Sequence, residues 1–328
     1  MSSHHRPGGG FRNPWPGANP AGFRAFLKWV LVDRMWQRRP QDPGPPAFSP
    51  RAPAFATRRG TGDVTVTWVG HATFLLQIGG LNILTDPMWS MRASPFQFAG
   101  PRRRTPPGIT RDALPPIDLV LQSHDHYDHL DERTVRDLVA RFPNAPWIAP
   151  LGLSGLLAPW GVTHVRELDW WDTTRERDVV ITSTPAQHFS GRGLRNRDGT
   201  LWCGWAVRAG QRAIWFAGDT GYHPEFAAIG SRCGPFDLAL MPVGAYEPRW
   251  FMRSVHMNPE DAVQAYQDLR TAAAMVPMHW GTFKLTDEPM AEPPVRTAAA
   301  WRAAALPPEA LWILSPGETR DVPRALPD

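Results

Sequence analysis

The sequence has few cysteines and no long apolar segment. Its 328 residues include only two cysteines, Cys203 and Cys233. Two cysteines cannot form a disulfide framework, and these two do not form a CxxC metal pair. No stretch of about eighteen apolar residues occurs, and residues 1–22 lack the apolar centre of a secretory signal. We therefore expect a cytoplasmic protein without a signal peptide or a transmembrane helix.

Lysine is nearly absent among the basic residues. Of 35 Lys and Arg residues only Lys28 and Lys284 are lysine, and 36 prolines accompany this arginine bias. The formal net charge of +4 is weak evidence for a nucleic-acid surface, and no long basic insert separates the motifs. The bias is typical of a GC-rich genome, so we expect no nucleic-acid partner.

The composition changes near residue 60. Residues 1–20 are rich in Gly, Pro and polar residues, which is typical of a loose start. Within residues 21–39, basic residues surround an apolar stripe at helical spacing: Phe23, Phe26, Leu27, Val30 and Leu31. This pattern predicts an amphipathic helix that either lies on a membrane surface or packs on the protein. We therefore divide the chain into an N-terminal extension, 1–60, and a main domain, 61–328, with a proline-rich connector at 41–53.

From residue 63 onward, short apolar runs alternate with turns. Strands are predicted at 64–69, 73–78, 81–85, 117–121, 147–149, 179–184, 202–208, 213–217, 237–242 and 274–277. Helices are predicted at 134–142 and 259–269, the second beginning with a cap residue and a proline at its first position. Strands outnumber helices, and helices intervene in both halves. This favours a four-layer αββα sandwich of the α/β class over a doubly wound sheet.

The most informative segment, residues 123–131, reads Ser-His-Asp-His-Tyr-Asp-His-Leu-Asp. It directly follows a predicted strand, and so many polar side chains need partners if they are buried. Imidazole and carboxylate groups suit zinc better than calcium or magnesium. His124 and His126 alternate and can point one way, while Asp128 and His129 follow the turn and can face a second ion. The segment therefore predicts a metal site.

Three further candidate ligands each follow a predicted strand: His188, Asp219 and His279. Taken singly, a histidine such as His279, which precedes Trp280, is more often a core residue than a metal ligand. In the same way, the Gly-Asp-Thr-Gly segment that contains Asp219 is more often a turn than part of a metal site. Together they recur at strand ends, in an order that gathers them at one edge of a sandwich. We therefore expect them to join the same metal site.

The pattern His-x-His-x-Asp-His, followed by a distant His, an Asp and a last His, resembles the metallo-β-lactamase superfamily. The segments between these motifs are similar to one branch, the N-acylphosphatidylethanolamine-hydrolysing phospholipases D. They are residues 13–16, 84–87, 92–95, 167–171, 216–222, 234–238 and 244–252. The last of them, Gly-Ala-Tyr-Glu-Pro-Arg-Trp-Phe-Met, is far more specific than the metal motif. The similarity runs from about residue 11 to about residue 294.

This resemblance implies a metallo-β-lactamase fold with two zinc ions, or other divalent transition metals, in each chain. It places one ion on His124, His126 and His188, the second on Asp128, His129 and His279, and Asp219 between them. All seven positions have the residue type that the family pattern requires, which argues against a non-catalytic relative.

The resemblance also implies a phosphodiesterase of the phospholipase D type. A hydroxide held between the ions would cleave N-acylphosphatidylethanolamine-like lipids into an N-acylethanolamine and phosphatidic acid. The catalytic residues would be Asp128, Asp219 and His256, and the substrate contacts His256 and Tyr127. The alternative is a lactonase or another carboxyl-ester hydrolase on the same site, because such a hydroxide also attacks carbonyls. The expected partners are a phospholipid or small ester, a membrane surface contacted peripherally, and a second copy in a homodimer.

Several residues near the motifs keep two interpretations. Asp86 either orients a ligand histidine or forms an ordinary Asp-Pro turn. His256 either contacts the substrate phosphate or makes a structural hydrogen bond at a helix entry. His71 is expected to be architectural. The sixteen tryptophans are more often core and rim residues than part of a substrate site, although Trp89, Phe96 and Phe98 could line an acyl-chain groove.

Overall fold

The computed structural model describes residues 3–33, 49–193, 196–270 and 272–323. The strands are β1 (Val64–Gly70), β2 (Thr73–Ile78), β3 (Leu81–Thr85), β4 (Leu119–Leu121), β5 (Trp147–Pro150), β6 (Val165–Leu168), β7 (Thr173–Glu176), β8 (Val179–Thr184), β9 (Gly204–Ala209), β10 (Arg212–Phe216), β11 (Leu238–Pro242), β12 (Met275–Met278) and β13 (Thr319–Asp321). The α-helices are α1 (Phe23–Leu27), α2 (Glu132–Arg141), α3 (Ser154–Leu157), α4 (Phe226–Cys233), α5 (Arg249–Met252), α6 (Pro259–Leu269) and α7 (Glu292–Ala303).

These strands form two mixed sheets. The first has the order β13-β1-β2-β3-β4-β5-β6 and the second the order β12-β11-β10-β9-β8-β7. Strands β3 to β6 are parallel in the first sheet, and β10 to β12 are parallel in the second. Because the carboxyl ends of parallel neighbours meet at one sheet edge, the loops that follow these strands converge there.

The main core lies between the two sheets, and a second core lies between the first sheet and α2. Phe74 of the first sheet and Trp205 of the second lie in the main core, and Trp205 Nε1 donates across it to the Gln122 carbonyl at 3.1 Å, whereas Leu75 enters the second core with Val135 and Leu138 of α2. Side chains alternate along a strand, so adjacent residues of β2 serve different cores and the whole strand is buried. Each fully buried large side chain contributes roughly 1.5–3 kcal/mol.

Helices cover the outer face of each sheet. On the second sheet, the ring of Phe226 in α4 contacts the ring of Trp215 in β10, with centroids 5.9 Å apart. Helix α6 begins at the predicted residue: the side chain of Asn258 accepts a hydrogen bond from the Asp261 amide at 2.8 Å, and Pro259 follows the cap. The predicted α/β class and αββα layering are confirmed.

The N-terminal helix differs from the prediction over 21–39. α1 continues as a π-helical turn, Lys28–Asp33, and residues 34–39 lie outside the described residues. The buried side chain is Trp29, whose Nε1 donates to Asp287 Oδ2 at 2.6 Å, while Phe26 and Leu31 of the predicted apolar stripe are 41% and 57% exposed. The wider π-turn rotates the side chains away from regular α spacing. No helix among the described residues is long and apolar enough to span a membrane.

Candidate metal centre

Four strand ends bring the predicted ligands together. The loop with His124, His126, Asp128 and His129 follows β4, and the other three ligands follow β8, β10 and β12. The structure places all seven predicted ligands in one cluster: His124, His126, Asp128, His129, His188, Asp219 and His279. The cluster is mostly buried, and its polar atoms face one another.

Three imidazoles form the first group of candidate ligands. His124 Nε2 lies 2.9 Å from His126 Nδ1, which lies 3.1 Å from His188 Nε2. Burial lowers the pKa of His126 to about 3 and that of His188 to about 4. These imidazoles are therefore neutral near pH 7, which is the form that binds a metal ion.

Asp128, His129 and His279 form the second group. Asp128 Oδ2 lies 3.2 Å from His279 Nε2 and 3.5 Å from His129 Nε2. His71 Nε2 hydrogen-bonds to the same carboxylate oxygen at 2.9 Å. His71 was expected to be architectural, and the structure shows that it also touches a candidate ligand. The available signal was its position at the end of β1, immediately after Gly70.

Asp219 lies between the two groups. Its Oδ2 is 3.1 Å from both His129 Nε2 and His279 Nε2. The same oxygen is 4.0 Å from His124 Nε2 and 3.9 Å from His188 Nε2. Asp219 Oδ1 has no hydrogen-bond partner among the described residues. One carboxylate therefore faces both groups, as a bridging ligand must.

A glycine lets Asp219 reach this position. Gly218 has φ +62°, and a Cβ there would lie 2.7 Å from the Cys203 carbonyl oxygen and 2.8 Å from Ser123 Cβ. Any larger residue would push the Asp219 loop away from the end of β4.

The charges of the cluster depend on one another. Burial alone would raise the pKa of Asp219, but His129 and His279 hold it well below its usual range. In the same way, burial opposes protonation of His129, yet Asp219 and Asp128 raise its pKa well above the ordinary value. A divalent cation can take the place of these protons between imidazole and carboxylate. The nitrogen and carboxylate donor set, with unpartnered buried atoms such as Asp219 Oδ1, fits a divalent transition metal.

Buried acceptors fix the orientation of the imidazoles. Asp86 Oδ2 accepts from His129 Nδ1 at 2.7 Å and from Ser123 Oγ at 2.5 Å. Ser123 Oγ also contacts His124 Nδ1 at 2.9 Å, and the Val255 carbonyl accepts from His188 Nδ1 at 2.9 Å. Of the two interpretations of Asp86, the structure supports the orienting role. Such contacts leave Nε2 free to face a metal ion.

Sequence reasoning missed the contribution of Asn13. Its Nδ2 donates to the His188 carbonyl at 2.8 Å, and its Oδ1 accepts from the His188 amide at 3.2 Å. The available signal was its place in the family-like segment 13–16. The N-terminal segment therefore helps to position a candidate ligand.

A cavity of about 370 Å³ opens onto the cluster. Its polar end is formed by His126, Asp128, Asp219 and His256. Its apolar walls come largely from Phe26, Trp29, Phe189, Phe251, Met252, Val255 and Leu285. The cavity thus joins a metal-binding cluster to a compartment suited to an apolar chain.

His256 and Tyr127, the two predicted substrate contacts, lie in different surroundings. His256 lines the cavity, and its Nδ1 lies 3.9 Å from Asp219 Oδ2 with no hydrogen-bond partner in the described part of the chain. Tyr127 is not among the residues that line this cavity. Its hydroxyl donates to the Arg192 carbonyl at 2.7 Å, and the Arg192 guanidinium lies 3.9 Å from the ring centroid. Its contact with substrate stays a prediction.

Trp89, Phe96 and Phe98, the three residues considered for an acyl-chain groove, are not among the residues that line this cavity, and Trp89 has the alternative core position. Trp89 is buried in the second core, with its Nε1 donating to the Ile109 carbonyl at 2.8 Å. Phe96 and Phe98 contact each other through tilted rings at the surface, where they are 57% and 82% exposed. The apolar cavity is instead walled by the N-terminal helix and α5, a long-range contact that local sequence patterns do not reveal.

Comparison with known proteins agrees with this geometry. The sequence profile of the β-lactamase superfamily domain matches residues 81–280. An uncharacterised protein of Mycobacterium tuberculosis is 45% identical over 279 residues, which are 84% of this chain and 73% of that protein. N-acyl-phosphatidylethanolamine-hydrolyzing phospholipase D 1 of Caenorhabditis elegans is 39% identical over 304 residues, covering 86% of this chain and 84% of that protein.

Solved structures show the same fold. A metallo hydrolase from Ignicoccus hospitalis has a TM-score of 0.60 at 22% identity, covering 80% of this chain and 100% of that chain. A metallo-β-lactamase fold protein of Bacillus subtilis has a TM-score of 0.55 at 15% identity, covering 79% and 99%. At these identities the likeness establishes the metallo-β-lactamase fold alone.

Proposed function

This chain belongs to the β-lactamase superfamily of metal-dependent hydrolases, and we propose that it is a dinuclear-zinc phosphodiesterase of the phospholipase D type. Its substrates would be N-acylphosphatidylethanolamine-like lipids, cleaved into an N-acylethanolamine and phosphatidic acid. The observation that carries the proposal is the apolar cavity that ends at the His/Asp cluster. The similarity to the phospholipase D of C. elegans supports the same reaction.

The residues that would hold the ions are those of the two groups. His124, His126 and His188 would bind one ion, Asp128, His129 and His279 the other, and Asp219 both. Bound ions would supply an activated water and offset the charge on the phosphodiester oxygens. Asp86 would keep Nε2 of His129 directed at its ion through the 2.7 Å hydrogen bond to Nδ1.

His256 would act on the phosphate or the leaving group. Burial lowers its pKa well below the ordinary value, so the imidazole is neutral and carries one N–H. Because it lines the cavity beside Asp219, that N–H can donate to a phosphate oxygen or to the departing N-acylethanolamine oxygen. Removal of one preorganised hydrogen-bond donor of this kind typically lowers kcat about 10²–10³-fold.

The apolar walls would bind an acyl chain and keep water away from the reacting phosphate. Phe251 and Met252 of α5 pack against Trp29 of the N-terminal segment, with the Trp29 and Phe251 ring centroids 5.2 Å apart, and Phe189 packs against His126 with ring centroids 4.4 Å apart. An apolar chain bound here would place its polar headgroup end at the cluster. This orientation is the one that cleavage of a lipid phosphodiester requires.

The N-terminal helix would also contact a membrane surface peripherally. Phe26, Leu31 and Val32 are exposed beside the cavity, and Lys28 Nζ lies 4.3 Å from the ring centroid of Trp250. Apolar side chains flanked by basic ones suit an anionic lipid surface. Co-sedimentation with anionic vesicles at low salt tests this contact, and absence of binding would remove it. The expected homodimer stays a prediction.

Paired assays test the substrate class. Two portions of one metal-loaded preparation are incubated separately, one with an N-acylphosphatidylethanolamine and the other with a long-chain lactone. The products are identified by mass spectrometry. The proposal requires equal release of N-acylethanolamine and phosphatidic acid. Turnover of the lactone without turnover of the phosphodiester would contradict it and favour the carboxyl-ester alternative.

A further inference from the structure

A second His/Asp cluster joins the N-terminal segment to the loop after β6. His4 Nε2 lies 2.6 Å from Asp169 Oδ1, and His5 Nε2 lies 2.8 Å from Asp169 Oδ2. Ligand atoms of all three residues lie within 4.8 Å of one another. The cluster shares no residue with the candidate metal centre, and nothing in the residues around His4 and His5 in the sequence distinguishes them as ligands.

The separation of the ligand atoms resembles that in the candidate metal centre, where the ligand atoms of His124, His126 and His188 also lie within 4.8 Å of one another. There, neighbouring imidazole nitrogens of His124, His126 and His188 lie 2.9 and 3.1 Å apart. Two imidazoles and one carboxylate are a frequent zinc donor set, and three protein ligands leave coordination positions for water. A small outward movement of the two rings would admit an ion between them and the carboxylate.

Neighbouring groups hold the three side chains in place. The ring of His4 stacks on Trp170 with centroids 4.1 Å apart, and the Trp170 amide donates to Asp169 Oδ1 at 2.8 Å. The ring of His5 meets Phe11 edge-on at 5.2 Å. Contacts of this kind fix ligand orientation before an ion arrives. The side chain of His5 is 31% exposed, which gives an ion a path from solvent.

The protonation states are compatible with metal binding. Burial lowers the pKa of His4, so its imidazole is neutral near pH 7. Although burial opposes ionisation of Asp169, the hydrogen bonds from His4 and His5 lower its pKa, which keeps the carboxylate charged. A neutral imidazole binds an ion through Nε2 once its proton sits on Nδ1, which needs only a change of tautomer.

We propose that His4, His5 and Asp169 bind a divalent transition-metal ion such as Zn²⁺, which fastens the N-terminal segment to the main domain. The segment already makes two other contacts near this cluster: Arg6 pairs with the Asp198 carboxylate at 2.7 Å, and the Phe11 amide donates to the Asp198 carbonyl at 2.8 Å. The ion would be a third attachment of the N-terminal segment to the main domain, at residues that precede Asn13 in the chain. This site is independent of the proposed hydrolytic function.

Metal content is the direct test. Protein without an affinity tag is equilibrated with Zn²⁺, freed of excess, and analysed by inductively coupled plasma mass spectrometry. The double variant His4→Gln/His5→Gln keeps an amide donor at the reach of each Nε2 but loses both imidazoles. We expect it to bind one Zn²⁺ fewer per chain than the wild type. His164→Gln, which removes an exposed imidazole elsewhere, is expected to bind as much as the wild type.

Amide hydrogen exchange of residues 3–13 tests the structural role. We expect Zn²⁺ to slow exchange in the wild type and to leave the rate unchanged in the double variant. If the double variant does not fold, His5→Gln alone carries the same predictions, because His5 is partly exposed. Equal metal content in the wild type and the folded variant would overturn the proposed site. An exchange rate of residues 3–13 that is the same with and without Zn²⁺ in the wild type would overturn its role in attaching the N-terminal segment. Neither readout depends on hydrolysis.

Discussion

Asn13 holds both backbone polar groups of His188, donating to the carbonyl at 2.8 Å and accepting from the amide at 3.2 Å. Because His188 is a candidate ligand at the end of β8, a residue 175 positions earlier in the chain helps to set its position. The N-terminal segment thus acts on both the metal cluster, through Asn13, and the cavity wall, through Phe26 and Trp29.

Replacing Asn13 by Ala should weaken the metal centre. The change leaves the buried carbonyl and amide of His188 without their partners, so we expect metal affinity about tenfold lower and the free energy of unfolding about 2 kcal/mol lower. Competition with a chelator and thermal unfolding measure these quantities. Asn19→Ala, at an exposed position of the same segment, is the matched control. Equal metal affinity of the two variants would refute the positioning role.

Replacing Asp86 by Asn should also cost metal affinity. The amide cannot reproduce the hydrogen bonds of the charged carboxylate with His129 Nδ1, Ser123 Oγ and the Ser123 amide. We expect a loss of about 10–100-fold, measured by chelator competition. Asp118→Asn is the control, since Asp118 is a buried carboxylate that precedes β4 rather than following β3. An equally large loss of metal affinity in Asp118→Asn would show that the effect of Asp86→Asn comes from a general loss of stability and not from the orientation of His129.

Replacing His256 by Ala should lower turnover and spare the ions. Its imidazole lines the cavity without belonging to either ligand group, and alanine removes its N–H donor, so we expect kcat to fall about 10²-fold while metal content stays unchanged. Steady-state assays and metal analysis of the same preparation check both parts. Loss of metal together with activity would instead make His256 a ligand, contrary to the proposal.

Truncating a side chain of the cavity wall should weaken the binding of a long-chain substrate. Phe26 lines the cavity, whereas Leu31, on the same helical segment, is exposed and outside the lining. We expect Phe26→Ala to raise KM for a long-chain substrate about fivefold, since truncating a partly buried ring costs about 1 kcal/mol. Leu31→Ala should leave KM unchanged with substrate dispersed in detergent. An equal KM for Phe26→Ala and Leu31→Ala would contradict binding of the acyl chain in the cavity that Phe26 lines.

The strands of the core could be predicted because their apolar runs are continuous. β2, β3 and β8 occupy the predicted residues, and each is bounded by turn residues. β6, β7 and β13 were missed, because they are short, partly exposed edge strands whose residues carry little hydrophobic periodicity. β7, Thr173–Glu176, has exposed and half-buried residues throughout.

The ligand cluster could be predicted because strand ends place residues from distant positions at one edge. The hydrogen bonds that orient the ligands, and the apolar wall of the cavity, could not be predicted, because they depend on segments that meet only in the folded chain. The hydrogen bond of Asp86 to His129 was one of two open interpretations, and the contact of Asn13 with His188 was not foreseen. An acyl-chain groove was considered at Trp89, Phe96 and Phe98, but Trp89 lies in the second core, where its Nε1 donates to the Ile109 carbonyl.

The most direct measurement is metal content alongside hydrolysis of a fluorogenic N-acylphosphatidylethanolamine, for the wild type and Asp219→Asn. Asp219 Oδ2 faces both ligand groups, with 3.1 Å to His129 and His279, so this one substitution should disturb both ions. We expect the wild type to hold at least two zinc ions per chain and to cleave the lipid, and the variant to lose activity. A wild type that binds no metal after zinc reconstitution, or a fully active Asp219→Asn protein, would contradict the account.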